Sequence, residues 1–201
     1  MEKLMTTSKK LDFVFGVTQK IIIAVVAIML VVLPVLFFFN TGTANDDGNG
    51  YNIIDISGIR LEISEKFAPD TKEFLVYMGV TTALAIAIVT VIYCMISIIR
   101  KILKPMTEGC PFDKSVGYNI RKIANMTIIL GLLANAFSAV ETIGTIFLFR
   151  LSELFAEGAV RKVSANLSFD VTFFIVYFIL LLISHIFIYG TELQKLSDET
   201  L

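Results

Sequence analysis

The sequence predicts an all-α integral membrane protein with four transmembrane helices, and three observations support this prediction. The composition is strongly apolar: 56% of the 201 residues are hydrophobic and the mean hydropathy is +0.79, whereas soluble domains are about 45–50% apolar. Lysine and arginine are concentrated in alternate segments between the apolar runs. The apolar residues are gathered in four long runs, at 21–39, 74–99, 126–149 and 171–189.

Each run is long enough to cross a bilayer. About 20 apolar residues, at about 1.5 Å per residue, span the roughly 30 Å hydrocarbon layer. Helices are expected because they satisfy their own backbone hydrogen bonds in lipid. The chain is therefore predicted to be one four-helix membrane domain over 1–201. Its spans are predicted at about 14–39, 74–99, 123–149 and 171–189.

The basic residues predict the orientation, because cytoplasmic loops carry an excess of lysine and arginine. Eleven of the 17 basic residues lie in 1–20, 100–122 and 190–201, whereas the loops 40–73 and 150–170 hold six together with ten acidic residues. We therefore expect an N-in/C-in protein of the plasma (cytoplasmic) membrane. The segment 100–122 is then a cytoplasmic loop, 190–201 a cytoplasmic tail, and the other two loops lie outside.

The first run is predicted to be an uncleaved helix. Gly42-Thr43-Ala44 resembles a signal-peptide cleavage site, but the apolar core of 19 residues is longer than the usual length of about 7–15. Pro34 removes a backbone donor in the outer half of this helix, so we expect a packing kink there, and the alternative is a moving hinge.

The loop 40–73 is predicted to contribute to a small extracellular cap. Apolar residues alternate with polar ones from Ile54 to Ile63 on both sides of Ser57-Gly58, which predicts a short β-hairpin. A lone hairpin is marginal in water. We therefore expect it to pack on apolar residues of the loop 150–170.

No metal site is predicted. Asn45, Asp47 and Asn49 are spaced like calcium ligands, but Ile56 occupies the position where the motif needs glutamate, so a solvated turn is the better interpretation. Cys94 is predicted in the membrane and Cys110 in the cytoplasmic loop. Neither a disulfide nor a zinc site is expected from these two cysteines.

The cytoplasmic loop 100–122 joins the second and third spans. Pro105 is predicted to end the helical continuation of the second span, because proline lacks a backbone donor. After a predicted turn at 109–112, Asp113 or Ser115 can cap the helix that leads into the third span. A charged membrane junction explains this loop, and the alternative is a docking surface for a cytoplasmic partner.

Polar residues inside the spans are functional candidates, because such residues are costly in lipid. Glu141 and His185 are the only Asp, Glu, Lys, Arg or His residues within the four apolar runs. Counting about 1.5 Å per residue from the outer ends predicts Glu141 level with Thr82, and His185 level with Asn135. A structural polar contact is one interpretation of Glu141 and of His185, and an ion pathway is the other.

Several common enzyme motifs are absent from the sequence. The chain has no HExxH, no GxSxG, no phosphate loop, and only one histidine. We therefore expect a non-enzymatic protein without a cofactor.

Two cytoplasmic stretches carry a family resemblance. They are Gly109-Cys110-Pro111-Phe112 with the helix start at 119–124, and the tail from Gly190 to Leu201. Together they resemble the bacterial membrane family called domain of unknown function 2975. In that family a Pro-Phe turn precedes the third span, and the chain ends in a glycine, a Leu-Gln-like pair and an acidic terminus. The resemblance covers essentially the whole chain, although Lys195 and Leu196 depart from the pattern.

The resemblance implies a regulatory partner. Members of that family often lie beside a gene for a small helix-turn-helix regulator, so the chain would be the membrane half of a two-part pair, as a sensor or sequestering element. It would not contact nucleic acid directly. The candidate partner-binding residues are Gly109, Pro111, Phe112, Arg121, Leu193, Asp198 and Glu199.

The rival interpretation is a small transporter, or an immunity-type protein against a membrane-active peptide. Glu141 and His185 would then carry the function in place of the tail. A purely structural membrane protein is a third interpretation.

Overall fold

The computed structural model describes residues 2–40, 51–56, 59–64, 70–108, 113–148, 150 and 167–199. This part of the chain contains four helices that are long and apolar enough to cross a membrane. They are α1 (Glu2–Asn40), α2 (Thr71–Thr107), α3 (Lys114–Leu148) and α4 (Thr172–Glu199). The prediction of a multi-pass membrane protein with four apolar helices is confirmed at this level.

The helices are longer than the predicted spans. α1 begins at Glu2, α2 continues to Thr107, α3 begins at Lys114, and α4 continues to Glu199. Each extension lies at the end for which the charge pattern predicts the cytoplasm. An apolar run indicates which residues need lipid, whereas a helix continues through polar residues that favour helical backbone.

Pro105 does not end α2, and this prediction was wrong. The helix includes Pro105 and continues to Thr107. Proline so near the end of a helix removes only one backbone hydrogen bond, to the carbonyl of Lys101. The end is closed by the Thr107 hydroxyl, which donates to the Lys104 carbonyl at 2.7 Å, and by the Glu108 N–H, which donates to the Pro105 carbonyl at 3.1 Å.

Two aspartates cap the next two helices. Asp113 Oδ1 accepts a hydrogen bond from the Ser115 N–H at 2.6 Å, and Asp170 Oδ1 accepts one from the Thr172 N–H at 2.8 Å. Asp113 is therefore the cap among the two candidates for α3. Hydrogen bonds from the side chains and backbones of Ser115 and Thr172 lower the pKa of the respective aspartate. This stabilisation is present above the ordinary aspartate pKa and is lost as the pH falls through the lowered pKa.

A short antiparallel hairpin precedes α2. β1 (Tyr51–Ile56) pairs with β2 (Ile59–Ser64), with Tyr51 opposite Ser64 and Ile56 opposite Ile59. The strands lie where the alternating apolar pattern predicts them. The calcium-like stretch 45–50 and the loop residues 151–166, against which the hairpin was expected to pack, lie outside the described residues.

The chain divides into two compact units. Unit 1 consists of Met1–Val26, Ile86–Asn135 and Phe169–Leu201, and unit 2 consists of Ala27–Ala85 and Ala136–Ser168. Unit 1 thus contains the N-terminal segment, the connection between α2 and α3, and the C-terminal segment. These are the three segments for which the basic residues predict one side of a membrane.

In unit 1, α3 and α4 pack closely through small residues. Ser184 is fully buried, and its hydroxyl donates to the Gly117 carbonyl at 2.8 Å. A Cβ atom at Gly117 would lie 2.6 Å from Ile188 Cγ1 and 3.3 Å from the Ser184 carbonyl oxygen. A Cβ atom at Gly131 would overlap the Phe173 ring. Glycine at these positions lets the two backbones approach, as is common between membrane helices.

In unit 2, the start of α2 contacts the end of α3. A Cβ atom at Gly144 would overlap the Tyr77 ring. The Thr81 hydroxyl donates to the Tyr77 carbonyl at 2.9 Å, so this threonine satisfies its own helix backbone. Glycine again permits the contact, here with an aromatic ring.

Candidate functional site

Arg100 joins α2 to α1 in unit 1. Its Nε donates to Asp12 Oδ1 at 2.7 Å, and its Nη1 donates to Gln19 Oε1 at 2.9 Å. Asp12, Gly16 and Gln19 are spaced by four and three residues, so they lie on one face of α1. The guanidinium lies over Gly16, with its Cζ 3.6 Å from the position of a Cβ there. We call this group, Asp12, Gly16, Gln19 and Arg100, the arginine clamp.

The arginine clamp lies outside the sequence prediction. In that prediction Arg100 belongs to a loop and the first span begins near residue 14, so Asp12 lies outside the membrane helix. The available signal was the helical spacing of Asp12, Gly16 and Gln19. That signal is visible only if α1 is taken to begin well before its apolar run.

Asn135 holds the first turn of α4 against α3. Its Oδ1 accepts from the Asp170 N–H at 2.8 Å, and its Nδ2 donates to the carbonyls of Asp170 at 3.0 Å and Gly131 at 2.9 Å. The amide therefore satisfies both backbone groups of Asp170. Asn135 thus makes a structural contact between α3 and the residue before α4.

The predicted level of Asn135 with His185 was wrong. Asn135 contacts Asp170, and His185 lies 15 residues further along the chain, which is about 22 Å along a helix. The predicted depths assume that the outer ends of the two apolar runs lie level. The contacts between α3 and α4 place other residues opposite each other. Ser184, which directly precedes His185, donates a hydrogen bond to the Gly117 carbonyl. His185 therefore lies near the first turn of α3.

The other intramembrane candidates are placed separately. His185 is exposed, and its Nδ1 forms a hydrogen bond with the Leu181 carbonyl at 2.8 Å. Glu141 is exposed and Thr82 is half-buried, and both belong to unit 2, whereas His185 belongs to unit 1. The shared level of Glu141 and Thr82 stays a prediction.

The candidate partner-binding residues are described in part. Arg121 on α3 and Leu193 and Glu199 on α4 are exposed. Asp198 lies in the last turn of α4. Gly109, Pro111 and Phe112 lie outside the described residues.

The C-terminal turns of α4 extend past the start of α3. Gly117 contacts Ile188, and Gly131 contacts Phe173, so the two helices are antiparallel. The residues opposite each other keep nearly the same offset along both helices. This offset places Lys114, the first residue of α3, level with about residue 191. The eight residues that follow, to Glu199, therefore extend about 12 Å further.

The C-terminal part of α4 carries an exposed apolar face. Tyr189, at the end of the predicted span, and Leu193, in the tail, are 62% and 49% exposed and four residues apart, so they form one face, the α4 stripe. At 100° per residue, Glu192 and Glu199 project along the same edge of the stripe, and both are exposed. The result is an apolar surface with one acidic edge.

Replacing Asn135 with leucine is expected to destabilise the α3/α4 pair by about 1–3 kcal/mol, because both backbone groups of Asp170 lose their partner. Thermal unfolding of the purified protein in detergent measures the loss. The matched control is Asn125→Leu, at an exposed position on the same helix. Equal unfolding temperatures for the two variants would contradict the role given to Asn135.

Among the described residues, no three His, Cys, Asp or Glu side chains come together. This part of the chain therefore offers no group of ligands for a metal ion. Comparison with known proteins adds no functional information. The chain matches no protein-family model, no curated protein and no solved structure.

Proposed function

We propose that this chain is a non-enzymatic protein of the plasma membrane that holds a small helix-turn-helix regulator at the cytoplasmic end of α4. It would act as a sensor or sequestering element, and a change in the helix bundle would release the regulator. The observation that carries this proposal is the exposed α4 stripe, with its acidic edge, at a helix end that extends past α3.

The proposed orientation gives a soluble regulator access to this surface. The segments 1–20, 100–122 and 190–201 hold 11 of the 17 basic residues, which supports their cytoplasmic location. Unit 1 contains all three segments. A partner in the cytoplasm would therefore meet the α4 stripe together with the basic α2–α3 connection.

The chemistry of the stripe fits an amphipathic helix with a basic edge. Tyr189 and Leu193 supply apolar anchors one helical turn apart, a spacing that helix-in-groove recognition uses. Glu192 and Glu199 supply complementary charge for lysine or arginine, which steers association and fixes the register. DNA-binding regulators carry such basic surfaces, so binding here would compete with DNA. The choice of a helix-turn-helix protein rests on the family resemblance.

The test is binding of a small helix-turn-helix regulator from the same organism to the purified membrane protein in detergent. Leu193→Asp is expected to weaken binding at least about tenfold, because it places a charge within the apolar contact. Gln194→Asp is the matched control, because it adds the same charge at the next residue, which lies outside the stripe. This variant should bind as the wild type does. Charge reversal at Glu192 and Glu199 together should also weaken binding and reduce its salt dependence.

Two outcomes would contradict the proposal. One is that no regulator binds to the full-length wild-type protein or to the protein that lacks its last ten residues. The other is equal binding by the Leu193→Asp and Gln194→Asp variants. Either result would remove the α4 stripe as the docking surface.

The rival transport or immunity interpretation has no specific structural support. Neither Glu141 nor His185 makes a hydrogen bond to another side chain among the described residues. Glu141→Gln separates the two interpretations, because it should leave regulator binding unchanged but abolish a function that depends on a carboxylate in the membrane.

A further inference from the structure

Lys20 and Lys101 project from the same side of the α1/α2 pair. Each directly follows a residue of the arginine clamp, and the clamp residues Gln19 and Arg100 meet at 2.9 Å. The clamp lies before the apolar run of α1 and after that of α2, so the two helices would cross a bilayer in opposite directions. In an antiparallel pair of right-handed helices, the residues that follow two contacting residues rotate to the same side.

Two further lysines continue this side toward the helix ends. Lys104 is three residues after Lys101, and Lys9 is eleven residues before Lys20, so each lies on the same face of its helix. All four lysines are exposed. Glu108, just after α2, is an exposed acidic residue at the far end of this side. We call the four lysines the lysine face.

The charges of the lysine face are not neutralised within the described residues. The ion pair that the structure shows there joins Arg100 to Asp12, with N–O distance 2.7 Å. Asp12 therefore neutralises the arginine and leaves the neighbouring lysines available. The clamp also fixes the spacing of Lys20 and Lys101, because it joins the two helices at their level.

The position of these lysines along the helices indicates which kind of ligand they would bind. Lys20 directly precedes the apolar run 21–39, and Lys101 follows the run 74–99 after one residue. In a bilayer that covers these two runs, both ammonium groups would lie where the hydrocarbon layer meets water. The phosphate groups of phospholipids lie at this level, and lysine side chains extend toward them.

We infer that Lys20 and Lys101, supported by Lys9 and Lys104, form a binding face for the headgroup of an anionic phospholipid. The clamp joins the two helix segments that carry these lysines, so that the two ammonium groups can share one phosphate. This inference is independent of the proposed regulator, because it needs only the α1/α2 pair and a bilayer.

The experiment measures phosphatidylglycerol bound to the full-length protein in neutral detergent, by native mass spectrometry over a lipid titration. The Lys20→Gln/Lys101→Gln variant is expected to bind about 30-fold more weakly, since each lysine near a membrane surface contributes about 1 kcal/mol. Lys20→Arg/Lys101→Arg should retain binding. The control is Lys72→Gln, an exposed lysine near the opposite end of α2, which should have no effect.

Several results would overturn the inference. Equal binding of phosphatidylglycerol and phosphatidylcholine would show that headgroup charge is not recognised, and equal binding by the wild type and the glutamine variant would exclude these lysines. Displacement of the lipid by millimolar inorganic phosphate would show a site for free phosphate. Wild-type binding should weaken between about 0.1 M and about 0.5 M salt, and unchanged binding would contradict an electrostatic site. This salt arm applies even if the glutamine variant does not fold.

Discussion

Replacing Gly131 with valine is expected to lower the unfolding free energy by about 1–3 kcal/mol or more, because the added side chain enters the space of the Phe173 ring. Phe173 is only 8% exposed. Its ring has little room to move, since the Phe169 and Phe174 ring centroids lie 6.2 and 4.3 Å away. One turn further along α3, Asn135 holds the backbone before α4, so a shift of the whole helix would break those hydrogen bonds as well. Thermal unfolding in detergent measures the effect.

Gly79→Val is the matched control for this prediction. Gly79 also lies inside a helix, but no atom comes within 4 Å of a Cβ built there. Both substitutions change helix propensity in the same way, so the difference between them isolates the contact with Phe173. A Phe173→Ala substitution should partly rescue Gly131→Val. Equal losses in the two glycine variants would contradict close packing at Gly131.

The number of helices could be predicted from the sequence, but their ends could not. Four apolar runs of sufficient length predict four helices because lipid requires this of any chain. Thr107 and Lys114, which end α2 and begin α3, lie in a polar segment where nothing requires lipid. There the boundary is set by local hydrogen bonds, such as the Asp113 cap, and by tolerance of Pro105 near a helix end.

The polar contacts were harder to predict than the helices. Asn135 was recognised as a polar residue in a span, but its partner depends on the offset between α3 and α4. That offset follows from the close approach at Gly117 and Gly131, which a count of depth from the run ends cannot reproduce. The pairing of Arg100 with Asp12 likewise joins residues 88 positions apart, so it depends on tertiary packing.

Replacing Arg100 with methionine is expected to destabilise the α1/α2 pair by about 1–3 kcal/mol. Gln19 is only 8% exposed and would lose the donor to its side-chain oxygen. Asp12 would lose its ion-pair partner. The ion-pair side chains are each 39% exposed, so solvent screens the Coulomb part, and the buried amide accounts for most of the loss. Arg100→Lys should be intermediate, because lysine keeps the charge but lacks the fork that reaches both partners.

Hydrogen exchange of the α1 amides, with thermal unfolding in detergent, measures this effect. Lys101→Met is the matched control: it removes an equal charge from the next, exposed position and should leave α1 protected in the absence of anionic lipid. Asp12→Asn should destabilise the wild type but add little to Arg100→Met, since the two residues act through one contact. If the two losses simply added, or if Lys101→Met matched Arg100→Met, then α1 would be held by its apolar face and the arginine clamp would be a consequence of that packing.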